Sequence, residues 1–305
     1  MAQPDAAAGA GIELFPPASL PLLPVSLSPN SAKEDHLLEA ISETVGPSPA
    51  VDTARSIHGF PRGPEPGSFL HDILEWAANE GFAGLASRRK DIFGRISDLC
   101  RRRDWADWDE ILTSWLEKLI QTPIRLPKDF GEMTLAGLSQ EDCRSEMEFW
   151  FAGHGVGARE LDDAVTAAIL PATPRPRLLD TSVNGMLNGF IDLVFCYRNR
   201  YYVLDYKSNH LGDSEAAYET KAMEKAILEH RYDLQYVIYT LALHRLLKLR
   251  LPDYDYEKHV GGAVYLFLRG VDDQGHGVFL DRPSQTLIET LDMAFAGKEI
   301  RHADR

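Results

Sequence analysis

Two apolar runs near the middle of the sequence constrain the fold of this chain more than any other feature. Residues 189–197 and 201–207 are rich in aromatic and β-branched side chains, and only residues 198–200 separate them. Strand-forming runs of this length, divided by a short polar turn, are typical of a β-hairpin. The sequence therefore predicts two paired strands at this point.

Three charged residues interrupt these apolar runs. Asp192 stands between Ile191 and Leu193, while Asp205 and Lys207 are two residues apart. Because side chains alternate across a strand, Asp205 and Lys207 share one face, and strand pairing can bring the Asp192 carboxylate beside that of Asp205. Two carboxylates in a dry cleft repel each other unless a cation lies between them, and hard oxygen ligands favour Mg²⁺. The pattern therefore indicates a magnesium site.

A plain alternative fits the same residues. Asp205 and Lys207 could form a surface ion pair, which contributes little to stability, and Asp192 could be a strand-edge or turn residue. The occurrence of all three on adjacent strands favours the metal site over this alternative.

A segment of helical period follows at residues 215–251, and we expect a break in it near residues 229–233. Within it Arg231, Gln235 and Tyr239 recur every four residues, so they should line one stripe of a helix. An arginine, an amide and a phenol in a row suit phosphate oxygens and an attacking water. The alternative is that Tyr239 is a core aromatic residue whose hydroxyl is satisfied.

His71 is a further candidate for a functional residue. It closely follows Ser68, which has the side chain of a helix N-cap, at the start of a segment with helical spacing. A histidine in the first turn of a helix is usually a solvated side chain. The functional alternative is a neutral imidazole that binds a metal ion.

The distribution of proline divides the chain into two parts. Eleven of the eighteen prolines precede Gly67, so residues 1–59 are predicted to be a linker or tail that is mostly disordered. Residues 60–305 form the second part and contain both helical and strand patterns. Its helical subregion covers about residues 68–138, and its sheet core covers about residues 145–305.

Smaller patterns complete this outline. Residues 32–45 have the spacing of a short helix, residues 145–151 alternate polar and apolar side chains like a strand, and residues 262–268 form another apolar run. We expect the strand at 145–151 to lead into a turn at three glycines, Gly153, Gly155 and Gly157.

Composition and charge argue against several classes of protein. Lys and Arg number 32 and Asp and Glu number 46, which gives a formal net charge of −14. This acidity argues against a free-standing, non-specific nucleic-acid binder, but not against an enzyme that receives DNA from a partner. Because no apolar run is long enough for a membrane helix and prolines break the early apolar stretch, we expect a cytoplasmic protein without membrane contact. Neither GxxxxGKS/T nor GxGxxG occurs, so we expect no bound nucleotide.

Four motifs occur along the chain in a fixed order. They are Gly67-x-x-Leu70-His71, Gly189-Phe190-Ile191-Asp192, Asp205-Tyr206-Lys207 and Gln235-x-x-x-Tyr239. As an ordered set they resemble the RecB-type branch of the PD-(D/E)xK nucleases, and the resemblance covers residues 60 to 300 approximately.

The resemblance implies both a fold and a metal site. The implied fold is a restriction-endonuclease-like α/β core with a central mixed sheet flanked by helices. It further implies that His71, Asp192 and Asp205 hold a Mg²⁺ ion together with the backbone carbonyl of Tyr206. Lys207 would orient or activate the attacking water and stabilise charge on the phosphate.

The resemblance also implies how DNA is held and cleaved. Gln235 and Tyr239, and also Arg231, would position the DNA, and either Glu146 or Glu148 would have a supporting part. The implied reaction is metal-dependent hydrolysis of DNA phosphodiester bonds, by exonuclease or endonuclease action, in double-strand-break repair and recombination. A Lewis-acid metal suits this reaction because it polarises a phosphoryl oxygen and acidifies its bound water.

Relatives in this branch carry an ATP-driven helicase ahead of the nuclease domain. This sequence has no phosphate loop for such a motor, so we expect a nuclease domain without it. The expected partners are linear DNA with single- or double-stranded ends, and RecC- or RecD-like subunits or a helicase. Some relatives bind an iron–sulfur cluster through four cysteines, which the three scattered cysteines of this chain cannot do.

Two other functions stay open on the sequence. One is a catalytically idle docking module of a repair complex, against which the intact Asp192, Asp205 and Lys207 count. The other is a stand-alone nuclease of a mobile element or defence system.

Overall fold

The structure, a computed structural model, describes residues 56–127 and 130–298. The predicted helix over residues 32–45 lies outside the described residues, as does most of the predicted tail. Ile57–Gly59, which the sequence assigns to the tail, form a 3₁₀ turn in which His58 is buried. These three residues therefore belong to the folded domain.

Helices form the first part of the domain. They are α1 Pro64–Glu80, α2 Phe82–Leu85, α3 Arg89–Arg101 and α4 Asp109–Gln121. A short antiparallel pair of strands follows, β1 Ile124–Arg125 and β2 Glu132–Met133. Helices thus occupy most of residues 64–121, and the strand pair follows them within the predicted helical subregion.

The first helix begins earlier than the sequence predicts. Pro64 occupies its first turn, where the missing N–H of proline costs no hydrogen bond, and Gly63 precedes it with a φ of 108°. Ser68 lies inside α1 and is not its N-cap, so the predicted cap is wrong. His71 consequently lies one turn further into the helix than predicted.

Five strands form the central sheet. They are β3 Cys143–Gly157, β4 Ser182–Tyr197, β5 Arg200–Lys207, β6 Val260–Phe267 and β7 Val278–Asp281. The strands lie in that order across the sheet, and each neighbouring pair is antiparallel except β5 and β6, which run parallel. The sheet is therefore mixed, as predicted.

The remaining helices lie between these strands or follow the last of them. They are α5 Ala158–Ala168, α6 Thr220–Glu229, α7 Tyr232–Arg250, α8 Tyr256–His259 and α9 Gln285–Phe295. A parallel strand pair requires a long crossover connection, and α6 to α8 supply it between β5 and β6. The break predicted near residues 229–233 falls at His230 and Arg231. No helix within the described ranges is long and apolar enough to span a membrane.

The predicted hairpin is formed by β4 and β5. Tyr197 lies opposite Arg200, so the turn consists of Arg198 and Asn199 alone. Both turn residues have positive φ, 49° and 61°, as a two-residue type I′ turn requires. Arg200, which the sequence analysis places in the turn, is therefore the first residue of β5.

The glycines predicted to form a turn after residue 151 instead lie within β3, so that prediction is wrong. The pairing of β3 with β4 shifts between His154 and Val156, and Gly155 between them has a φ of 70°. One extra residue in left-handed conformation is characteristic of a β-bulge. The glycine therefore permits a bulge within a long strand.

Two cores cover the two faces of the sheet. On one face, α1 to α4 pack against residues that include Leu193, Phe195 and Leu204. On the other face, α5, α6, α7 and α9 pack against residues that include Ile191 and Val203. We refer to them as the α1-side core and the α7-side core.

Strands β3 and β4 exchange faces at one point. Ile191 and Leu193 are two residues apart, yet Ile191 belongs to the α7-side core and Leu193 to the α1-side core. Ser145 pairs with Leu193 and Met147 pairs with Ile191, so Glu146 lies opposite Asp192 at the exchange, with a φ of 46°. The regular alternation of side chains therefore stops at Glu146 and Asp192.

Candidate active site

The candidate site lies where β5 separates from β4. The last paired residues of the two strands are Leu193 and Leu204, and beyond them β5 continues beside β6 while β4 continues beside β3. Asp192 Oδ2 accepts a hydrogen bond of 2.7 Å from the backbone N–H of Tyr206. The carboxylate thereby satisfies a backbone donor that would otherwise lack a strand partner, and this holds Asp192 beside β5.

Asp205 and Lys207 share one face of β5, as their spacing predicts. Lys207 Nζ lies 2.7 Å from Asp205 Oδ2, and the two side chains are only 8% and 6% exposed. The plain alternative of a surface ion pair is therefore wrong, since a pair this deeply buried loses most of its contact with water.

The Lys207 ammonium has further partners from α7. Nζ donates a hydrogen bond of 2.9 Å to Gln235 Oε1 and lies 3.7 Å from the centroid of the Tyr232 ring. Burial alone favours the neutral amine, but the contact with Asp205 raises the pKa of Lys207 above its ordinary value. The side chain is therefore a fixed cation.

Gln235 connects this ammonium to two phenols. Its Oε1 also accepts a hydrogen bond of 2.9 Å from the Tyr265 hydroxyl, and its Nε2 donates one of 2.9 Å to the Tyr239 hydroxyl. Tyr239 is 7% exposed and packs edge-on against Phe149. These surroundings fit the core-aromatic alternative as well as a role in holding DNA.

The structure brings His71 to the same place. Its Nδ1 lies 3.6 Å from Asp192 Oδ2, and its ring packs edge-on against the Tyr206 ring at a centroid distance of 5.8 Å. Burial opposes the charged imidazole, yet the carboxylates of Asp192 and Asp205 raise the pKa of His71 to about 9. A metal ion would have to displace this proton before binding the ring.

The two aspartates experience opposite effects. Burial raises the pKa of Asp205, and the charge of Asp192 adds to that increase even though Lys207 opposes it. Burial also favours the neutral form of Asp192, but His71 and the Tyr206 N–H lower its pKa. Asp192 therefore ionises more readily than Asp205, because burial and the charge of Asp192 both oppose the ionised form of Asp205.

Of the two candidate glutamates, Glu146 lies close enough to Asp192, Asp205 and His71 for their charges to affect its pKa. Burial, followed by the charges of Asp192 and Glu75, raises the pKa of Glu146 to about 7. Both glutamate side chains are exposed, but Glu148 lies two pairs further along the strands, opposite Phe190.

Glu75 also lies near Glu146, and it was not among the residues predicted from the sequence. It lies four residues after His71 on α1, so the two side chains share one side of that helix. That spacing is the signal that could have identified it.

The cluster fits a divalent cation by its chemistry, although no three His, Cys, Asp or Glu side chains of the described residues are already spaced as a formed metal site. Its oxygen donors come from Asp192, Asp205 and Glu146, and His71 adds an imidazole nitrogen. Burial is the larger cause of the raised pKa values of Asp205 and Glu146, and repulsion from Asp192 adds to it. A cation would relieve that repulsion.

Arg231 does not lie with Gln235 and Tyr239, so the predicted stripe is wrong in this respect. It precedes α7 with a left-handed φ of 57°, and its side chain contacts Asp162 at 2.8 Å and Asp233 at 3.1 Å. Arg175 also contacts Asp233, at 2.7 Å. We call these four residues the α7 ion cluster. The contact between Arg231 and Asp162, which lies on α5, could not be predicted from the residues close to Arg231 in the sequence.

Comparisons with known proteins agree with this geometry. A family model described as the PD-(D/E)XK nuclease superfamily matches residues 51–301. The RecBCD enzyme subunit RecB of Escherichia coli K12 is 41% identical over 253 residues, which cover 81% of this chain and 20% of that protein. The same subunit of Haemophilus influenzae is 39% identical over 249 residues, covering 79% of this chain and 19% of the relative.

A more distant relative gives a similar match. The RecBCD enzyme subunit RecB of Mycobacterium tuberculosis H37Rv is 30% identical over 286 residues, covering 82% of this chain and 25% of the relative. The chain thus spans about a fifth to a quarter of the length of these relatives. The resemblance found in the sequence is confirmed, and this chain belongs to the PD-(D/E)XK nuclease superfamily.

Proposed function

We propose that this chain is a Mg²⁺-dependent DNA nuclease of RecBCD-type double-strand-break repair and recombination. The observation that carries the proposal is the convergence of Asp192, Asp205 and Lys207 where β4 and β5 separate. Membership of a nuclease superfamily and the likeness to RecB subunits support the same reaction class.

In this proposal Asp192, Asp205 and His71 hold the metal ion together with the backbone carbonyl of Tyr206. Oxygen ligands of this kind favour Mg²⁺. When bound, the ion supplies Lewis-acid polarisation of the scissile phosphate and lowers the pKa of the attacking water.

Lys207 acts by charge and by donating hydrogen bonds. The contact with Asp205 raises the pKa of Lys207, which favours the ammonium over the neutral amine that could act as a base. Asp205, Gln235 and the Tyr232 ring hold it in place, so it can orient water and stabilise charge that develops on the phosphate.

Gln235 and Tyr239 would position the DNA through the hydrogen-bond chain that begins at Lys207. Arg231 was a third candidate for this role. Its contacts with Asp162 and Asp233 favour a part in fixing the start of α7 instead.

We further propose that the DNA is linear and is delivered in the cytoplasm by RecC- or RecD-like subunits or by a helicase. The net charge of −14 repels a polyanion. Four arginines at or near the ends of α3 are also engaged, because each contacts a carboxylate: Arg88, Arg89, Arg101 and Arg103. Delivery by a partner raises the effective concentration of DNA at the site and so substitutes for affinity.

The test is an assay of the purified chain on linear single- and double-stranded DNA, with Mg²⁺ or with EDTA. We expect slow cleavage with Mg²⁺, none with EDTA, and none from Asp192→Ala in either condition. The matched control is Asp213→Ala, an aspartate whose side chain is 41% exposed and which contacts Arg62. Absence of cleavage by the wild-type chain with any divalent cation would favour the idle docking module.

A further inference from the structure

Beyond the point where β5 separates, β3 and β4 continue as a two-stranded arm, residues 147–157 and 182–191. One face of the arm packs on the α7-side core through Phe151, Ile191 and partly buried Leu187. The opposite face is exposed and carries large apolar side chains. Trp150 is 55% exposed, Met186 60% and Phe190 39%.

These three side chains form a zigzag row along the arm. Trp150 pairs with Asn188, so it is a diagonal neighbour of both Phe190 and Met186. Diagonal neighbours in a sheet are about 7–8 Å apart. The row spans residues 186–190 of β4, four residue steps that cover about 14 Å at the usual rise per residue.

The row begins at the candidate site. Phe190 lies two residues from Asp192 on β4, and its pairing partner Glu148 lies two residues from Glu146 on β3. A phosphodiester bond held by the site carboxylates would therefore have its neighbouring nucleotides beside Phe190, Trp150 and Met186 in turn.

The chemistry of the exposed face favours contact with the bases of a DNA strand over contact with its phosphates. The side chains between the three apolar residues are Glu148, Asn188 and Ala152, none of which is a cation. Phosphates are repelled by Glu148 and by the site carboxylates. Bases present neutral π-faces that stack on aromatic rings, and rings about 7–8 Å apart leave room for one base at about 3.4 Å per stacking step.

From this arrangement we propose that the exposed face of the arm is a base-stacking surface for single-stranded DNA adjoining the candidate active site. The proposal rests on the proposed nuclease function for the identity of its ligand. Duplex DNA does not fit this surface, because its base faces are already stacked within the helix. The bases contact the arm and the phosphates face outward, which lets an acidic surface hold a polyanionic strand.

The experiment measures binding of fluorescein-labelled oligo-dT and of a duplex of equal length at low ionic strength. Ca²⁺ replaces Mg²⁺ so that binding occurs without turnover. We expect the wild-type chain to prefer the single strand, and we expect each of Trp150→Ala and Phe190→Ala to weaken oligo-dT binding roughly tenfold. Trp150→Phe should retain most of the affinity, because it keeps a ring.

The matched control is Leu249→Ala on α7, an exposed apolar residue at 83% exposure that lies off the arm. We expect it to leave oligo-dT affinity unchanged, and thermal denaturation of every variant checks the fold. In cleavage assays, loss of stacking should raise KM for single-stranded oligonucleotides with little change in kcat.

Unchanged affinity and KM in the Trp150→Ala, Phe190→Ala double variant would overturn the proposal. Loss of association with RecC-like subunits in that variant, with DNA binding intact, would assign the face to a protein interface and overturn it too. A wild-type chain that binds oligo-dT through Trp150 but cleaves no DNA would refute the nuclease function and leave the stacking surface standing.

Discussion

The domain contains two clusters of charged side chains with buried members, and they differ in how their charges balance. In the α7 ion cluster, Arg175 and Arg231 face Asp162 and Asp233, so two cations match two anions. Hydrogen bonds to Leu178 and Arg231 outweigh burial and lower the pKa of Asp162, which shows that its charge is satisfied.

In the candidate site, the carboxylates outnumber the cations. Asp192, Asp205 and Glu146 stand beside Lys207 and a histidine that must give up its proton to bind metal, and the pKa values of Asp205 and Glu146 are raised. Removing one partner from a balanced buried cluster leaves an uncompensated charge and costs stability, whereas an excess of carboxylates suits a ligand that supplies positive charge. The five predictions below test that distinction.

The largest expected effect is the loss of cleavage in Asp205→Asn. We expect the rate with Mg²⁺ to fall roughly a thousandfold, because the metal loses a charged ligand at the reacting phosphate. The thermal midpoint should change little, because neutralising Asp205 relieves its burial and its repulsion from Asp192 but also leaves Lys207 with only Gln235 and the Tyr232 ring as named partners. A nuclease assay and a melting curve check both parts, and near wild-type cleavage would show that Asp205 is not a ligand.

Asp233→Asn should have the opposite profile. Asp233 is fully buried between Arg175 and Arg231, so neutralising it leaves two guanidinium groups with one remaining carboxylate. Breaking a buried pair typically costs about 3–5 kcal/mol. Urea denaturation should show this loss, while cleavage per folded molecule changes little. A fold as stable as the wild type would remove the distinction between the clusters.

Lys207→Ala separates chemistry from metal binding within the site. The ammonium has no lone pair for a metal, so we expect roughly a hundredfold loss of turnover with Mg²⁺ affinity largely preserved. Calorimetric titration with Mg²⁺ measures the second quantity. A large loss of metal affinity would mean that Lys207 chiefly organises the carboxylates.

His71→Ala should instead weaken metal binding, and by a smaller factor. Loss of one imidazole ligand should weaken Mg²⁺ binding roughly tenfold, on the scale seen for perturbed metal sites. The same calorimetric titration measures it, with His259→Ala on α8 as a control histidine outside the site. An unchanged titration would make His71 an ordinary helical side chain.

The smallest effect concerns the two glutamates of β3. Glu146→Gln should lower cleavage by a few-fold, because Glu146 adds to the negative potential around Asp192. Glu148→Gln should not lower it, since that change removes a charge that repels phosphate. Rates of the two variants measured side by side decide between them, and the reverse order would assign the supporting part to Glu148.

The sequence predicted those features of the site that depend on short spacings. Asp205 and Lys207 share a face because strands alternate, and Asp192 reaches β5 because two adjacent strands form a hairpin. The mixed sheet followed from the resemblance of the ordered motifs. In each case the relevant residues are close in sequence or fixed by a family pattern.

The features that sequence reasoning missed depend on contacts distant along the chain. The side chain of Arg231 contacts Asp162 on α5 and not the predicted stripe, and Gly155 lies within β3 because β4 pairs with the residues on both sides of it. Glu146 joins the site only because both strands exchange faces beside Asp192. Local spacing contains no information about any of these pairings.

The exchange of faces at Glu146 and Asp192 also restricts how this sequence can change over time. Outward from that point, one residue added to or removed from either strand would move Phe151 or Leu187 into water and turn Trp150 inward. Substitutions there alter one side chain at a time, whereas an insertion or deletion reverses all of them at once. We therefore expect homologous chains to differ freely in residue type along the arm, but to conserve its length between the site and the bulge at Gly155.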